Sequence, residues 1–145
     1  MLHQKFIGTW QLQAFEQRGM ENDAAYPMGS DCRGILMYDS SGRLSVHLMR
    51  AGRPFFSSGD PFGGAADECK AACDGYISYL GHYEIDEELK TISHHIEGSM
   101  FPNWVGVTQV RHYEFEDKDS MILSTLPMEI GGRTGVSVLT WSRVA

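Results

Sequence analysis

The chain is short of positive charge. Twelve Lys and Arg stand against 19 Asp and Glu, a net charge of -7. That balance argues against a nucleic-acid or anionic-membrane partner, because both are held through basic patches. Cysteine is scarce too. Cys32, Cys69 and Cys73 cannot all pair within one chain, and so few thiols suit a reducing, cytoplasmic setting. Cys69 and Cys73, four apart on an expected helix, share a face and read as buried or half-buried structural thiols. No apolar run approaches the about 18 residues of a membrane span, and MLHQKFIGTW at the start lacks the basic-then-apolar pattern of an export signal.

Several catalytic and cofactor signatures are absent as well. No Gly-x-Ser-x-Gly elbow precedes a helix, so a Ser-His-Asp triad has no support. The glycines of SSGDPFGGA lack a following Lys and a preceding buried strand, so no phosphate loop is expected. His-x-His and Cys-x-x-Cys do not occur, and His3, His47, His82 and His112 fall on separate segments. A metal needs at least three convergent ligands, so neither a metal site nor a cofactor is expected.

What the chain does have is two-residue hydrophobic alternation in short runs, the mark of antiparallel strands. The runs are 7–16, 34–38, 43–50, 81–86, 91–98, 106–116, 121–125 and 135–143. Eight short strands in one domain spanning 1–145 suggest a barrel or a sandwich. DSSGR, IDEELKT and FEDKDS read as tight polar reversals, giving an up-and-down meander. A Gly-, Pro-, Ser- and Phe-rich stretch follows the third run, and GAADECKAACDGYISYL then predicts one helix over 65–80, between the third and fourth strands.

The first strand carries Gly8-Thr9-Trp10 and the last ends in Trp141-Ser142-Arg143. Together with YPMGSDCRGILMYDSSGRLSVHLMR, DGYISYLGHYEID and HHIEGSMFPNWVGVTQVRHYEF, this resembles the small bacterial and fungal lipocalin-like domain family over nearly the whole length, 7–143. The resemblance implies an all-β, calycin-type barrel with an interior cavity and a helix near its mouth, and a late Arg covering the first-strand indole. Some relatives sit among secondary-metabolism enzymes, so the family does not choose between binding and catalysis.

Strand parity then sorts the side chains. His94 shares a face with Ile92 and Ile96, while His95 and Glu97 share the other, so the adjacent histidines cannot form a chelate. The apolar face is expected inside, unless a bulge in 91–98 exchanges His94 for His95 and Glu97. On the next strand Val107, Gln109, Arg111, Tyr113 and Phe115 face inward. An interior Arg111 is costly unless it meets a carboxylate, a ring or an anionic ligand. The alternative is that it snorkels to the rim or pairs with Glu97 or Glu84, and His94 is equally readable as a hydrogen-bonded core histidine. Phe101 and Trp104 form a lid or a plug at the rim, and Phe55, Phe56, Phe62, Tyr76 and Tyr79 line the entrance or cover an edge.

The expected ligand contacts are Tyr38, Tyr83, His94, Trp104, Gln109 and Arg111, around a small, largely apolar, aromatic or polyketide-like molecule with one or two oxygens. His94 and Arg111 are also the catalytic candidates of a second reading, a cyclase or isomerase in which His94 moves a proton. A third reading is a filled barrel with a structural or interaction role, which an interior with room for only a few waters would favour. A homodimer through exposed barrel faces or the Phe-rich loop is compatible with all three.

Overall fold

A computed structural model describes residues 2–19 and 24–145. Eight long strands alternate in direction: β1 (Gly8–Gly19), β3 (Arg33–Tyr38), β4 (Arg43–Met49), β5 (Tyr76–Asp86), β6 (Thr91–Ser99), β7 (Thr108–Asp117), β8 (Ser120–Thr125) and β10 (Arg133–Arg143). Each pairs with the next, and β10 returns onto β1 from Trp10↔Arg143 to Gly19↔Gly135, closing an antiparallel barrel. Closure satisfies the ladder on both sides of every long strand. Short strands β2 (Ala24–Ala25) and β9 (Met128–Ile130) extend β1 and β10. No helix among the described residues is long and apolar enough to cross a membrane.

One end is closed by α1 (Leu2–Phe6). Phe6 is fully buried, and its ring meets Tyr38, Tyr113 and Phe115 edge-on. The Trp10 indole donates to the Phe6 carbonyl at 2.9 Å. The Arg143 guanidinium lies 4.3 Å over the Trp10 ring and donates to the carbonyls of Ile7 at 2.7 Å and Lys5 at 2.6 Å. The Arg expected to cover the first-strand indole does so.

The helix is shorter than its sequence suggests. α2 spans Ala66–Asp74, inserted after β4, and Gly75 ends it with its N–H on the Ala71 carbonyl. Tyr76 to Leu80, expected as helix, open β5 instead and pair with β4 from Met49↔Tyr76 to Ser45↔Leu80. The barrel wins because this strand buries Tyr79, whereas α2 buries nothing. For the same reason Cys69 and Cys73 are exposed, correcting their reading as buried thiols; Cys32 is half-buried.

A bulge does occur in 91–98. The β5–β6 register runs Leu80↔Gly98 and then Gly81↔Ile96, leaving Glu97 as the extra residue. A Cβ on Gly81 would lie 1.9 Å from the His95 carbonyl oxygen, so the strands close here only around glycine. The irregularity falls after His94, whose inward parity survives: His94 is 1% exposed and Glu97 is exposed.

Candidate functional site

Inward-facing side chains from β5, β6 and β7 converge between the Phe6 plug and the open end. His94 on β6 is flanked by two phenols, with Tyr38 Oη 2.6 Å from Nε2 and Tyr79 Oη 2.7 Å from Nδ1. All three are buried. Burial and the nearby Arg111 charge hold the His94 imidazole well below its ordinary pKa, so it is neutral, with one N–H and one lone pair. Burial raises both phenols, Tyr38 well above the usual tyrosine range.

The direction of this chain follows from its blind end. Tyr38 has no hydrogen-bond partner besides His94 among the described residues. Were His94 Nε2–H the donor, the Tyr38 hydroxyl proton would be buried without an acceptor, at a cost of roughly 1–3 kcal/mol. Tyr38 therefore donates to Nε2, Nδ1–H donates to Tyr79, and the Tyr79 O–H is left to donate into the cavity. A pair of histidine tautomers thus reduces to one.

Arg111 on β7 lines the same cavity and is 8% exposed. It donates to Gln109 Oε1 at 3.1 Å and to the Tyr79 hydroxyl, and its charge and that hydrogen bond work against the burial that raises the phenol. No carboxylate among the described residues pairs with it, so the expected alternatives of Glu97 and Glu84 are set aside: Glu97 is bound by Arg43 at 2.8 Å and His82 at 3.1 Å on the outer wall. Across the ladder from Arg111 stands Thr125, whose Oγ1 accepts the Ser137 N–H at 3.0 Å. Ser137 Oγ and Trp141 Nε1 are both buried without a hydrogen-bond partner among the described residues, and both residues line the cavity. Orphaned buried polar atoms are uncommon in folded proteins; here two of them share a cavity with a guanidinium that no carboxylate among the described residues neutralises.

The remaining walls are Leu, Ile, Val, Met and Phe, with Trp104 at the mouth meeting Tyr79 edge-on at 6.1 Å. The cavity volume is about 40 Å³. The closed interior therefore holds only a few waters, the outcome expected above of a filled barrel, so a larger ligand needs the cavity to open.

Of the six expected contacts, His94, Trp104 and Arg111 line the cavity and Tyr38 backs it through His94. Gln109 touches Arg111 rather than the cavity. Tyr83 lies outside it, donating to the Asp39 carbonyl at 2.7 Å and supporting Tyr38 edge-on at 4.8 Å. Phe55 and Phe62 are 98% and 97% exposed and line nothing inside, and Val107 precedes β7 and is exposed. Tyr79 belongs to the inner wall; the YISYL run after Gly75, rich in β-formers, was the signal for it. Ser137 and Trp141 had none beyond alternation.

A closed eight-stranded antiparallel barrel with a plugged end and an interior cavity is the architecture of the lipocalin-type up-and-down barrels. The chain belongs to the lipocalin-like domain family, whose model matches residues 7–144. It is 31% identical over 108 residues to the 4'-hydroxy-3'-methoxypropiophenone carrier protein ppsC of Aspergillus oryzae, covering 70% of this chain and 96% of that protein. Among solved structures it is similar to a redesigned β-barrel at 12% identity and a TM-score of 0.46, covering 98% of this chain and 94% of the other. It is also similar to fatty-acid-binding protein 1 of Echinococcus granulosus at 14% identity and a TM-score of 0.42, covering 98% and 99%.

Proposed function

We propose that this barrel carries a small aromatic, polyketide-like molecule whose oxygens accept hydrogen bonds. The observation behind this reading is the buried Arg111, without a carboxylate partner among the described residues, in an apolar cavity that also holds the O–H of Tyr79 and the orphaned Trp141 N–H. Every one of these groups donates, so a carbonyl, ether or phenolate oxygen satisfies them and an aliphatic hydrocarbon does not. The A. oryzae relative is named as the carrier of an aryl ketone bearing hydroxyl and methoxyl groups, a molecule with an acceptor at each end. In this reading Arg111 and Tyr79 hold the ligand carbonyl, and His94 fixes the Tyr79 hydroxyl. A cavity of a few waters is smaller than such a ligand, so entry displaces Trp104 and the Met128–Ile130 strand at the mouth.

Trp104 and Trp141 make the cavity optically readable. Titration with 4'-hydroxy-3'-methoxypropiophenone should quench tryptophan emission saturably, with affinity at least about tenfold weaker in Tyr79→Phe, which removes a hydrogen bond worth on the order of 1.5 kcal/mol. Absence of saturable quenching by this ketone and by its unsubstituted parent, propiophenone, would favour the filled barrel. The buried Tyr38–His94–Tyr79 chain is also the part an isomerase would need. Deuterium entering the bound ketone beside its carbonyl, faster than in solvent alone and lost in His94→Gln, would turn the assignment toward catalysis.

A further inference from the structure

The outer wall carries a second polar constellation, on the other face of the strands that build the cavity. His82 on β5 and His95 on β6 are direct cross-strand partners, their rings stacked 4.6 Å apart at 27°. Separate segments of sequence are thus brought side by side, contrary to the expectation that the histidines are scattered. Glu84, next on the same face of β5, places Oε2 at 3.8 Å from His95 Nε2, beyond hydrogen-bond range. One donor atom from each of the three residues lies within 4.8 Å of the others.

The proton of His82 is already committed elsewhere. His82 Nδ1 sits 3.1 Å from Glu97 Oε2, and Glu97 is fixed in turn by Arg43 at 2.8 Å. A carboxylate only accepts, so Nδ1 carries the proton and Nε2 presents its lone pair. His95 Nδ1 is 2.8 Å from Thr108 Oγ1, while its Nε2 is buried with no hydrogen-bond partner among the described residues. With Nδ1–H donating to Thr108, that orphan is also a bare lone pair. Imidazoles oriented through one nitrogen by a carboxylate or hydroxyl, with the other nitrogen free, are how metal-binding histidines are held.

We propose that His82 Nε2, His95 Nε2 and a Glu84 carboxylate oxygen form a binding site for a first-row divalent transition metal, with zinc the type, and with Glu97 and Thr108 orienting the rings. Two imidazoles and one carboxylate suit zinc, cobalt, nickel or copper rather than calcium or magnesium. Bonds of about 2.0–2.1 Å to a tetrahedral ion set its ligand atoms about 3.3 Å apart. The trio reaches that by side-chain rotation, which the open placement of His82 and Glu84 permits, their side chains being 49% and 75% exposed. Three protein ligands leave a coordination position for water or for a donor atom of an incoming molecule. The site does not depend on the cavity reading.

The test is cobalt titration of tag-free, chelator-stripped full chain near neutral pH, read by visible ligand-field absorption and repeated with zinc as competitor. One saturable equivalent per chain, displaced by zinc and weakened at least about tenfold in both His82→Ala and Glu84→Gln, is expected. The exposed His112→Ala on β7 should bind as the parent does. Both test residues sit on the outer wall, so circular dichroism should show the barrel intact; His95→Ala adds a third variant where it folds. No saturable binding, or binding equal to the parent in His82→Ala and Glu84→Gln, overturns the site.

Discussion

Arg111 is the residue on which structure and function pull in opposite directions. A guanidinium at 8% exposure, with an amide and a phenol as acceptors and no carboxylate among the described residues, is a stability liability in a cavity whose walls are mostly apolar. Its neighbour pays part of the same cost: His94 stays neutral beside it. Such a charge persists where a ligand needs it. Arg111→Met keeps the volume and removes the charge, and Gln109, half-buried, can turn its amide to water. We expect this variant to unfold at higher urea, by on the order of 1 kcal/mol, while binding the aryl ketone at least about tenfold more weakly. Lower stability with unchanged affinity would show that Arg111 is held by the barrel for its own sake.

At the scale of elements, the barrel depends on how β1 and β10 meet. Arg143 ties that seam by stacking on Trp10 and donating to Ile7, Lys5 and, from Nε at 3.1 Å, Lys118. Lys5 lies in the plug helix, so one side chain joins plug, first strand, last strand and the β7–β8 turn. Arg143→Met loses the carbonyl bonds together and should cost on the order of 2–4 kcal/mol in urea unfolding, with frayed α1 amides exchanging fastest. A cost below about 0.5 kcal/mol, the range of ordinary surface changes, would show that the seam is held by its ladder alone. This seam was legible in the sequence because Gly-x-Trp and the late Arg are local signals; His94 was legible because alternation in β6 survives up to the Glu97 bulge, and Arg111 because β7 stays regular as far as Phe115. Tyr79 was legible only as an entrance or edge residue, not as inner wall, because ADECKAACD satisfies helix periodicity and its pattern runs on past Gly75 until pairing with β4 overrides it. Nor were the His82–His95 pair, which needs the β5–β6 register, or the orphaned Ser137 and Trp141, which are defined by what fails to reach them in three dimensions.

For the whole molecule, the buried chain predicts how stability depends on pH. His94 has a folded pKa well below its ordinary value of about 6.5, so the unfolded chain takes up a proton in mild acid that the folded barrel refuses. Stability is therefore full above about pH 6.5 and falls as pH drops, by up to about 1.4 kcal/mol per unit, until the folded pKa is reached. Asp39, Glu68 and Glu97 have lowered folded pKa values through their hydrogen bonds, and they add their own loss only below the ordinary carboxylate range, near about pH 4. The window between about pH 6.5 and 5 consequently lies above the loss from these carboxylates. At the other limit the raised phenols of Tyr38 and Tyr79 lose protons in the unfolded chain first, so stability falls again above about pH 10. Urea unfolding at intervals across the acid window should give a steep slope for the parent and a nearly flat one for His94→Gln, which offers the two phenols an uncharged amide. Equal slopes in the two proteins would mean that His94 takes up its proton in the folded barrel, and that the one-way chain from Tyr38 to Tyr79 does not hold.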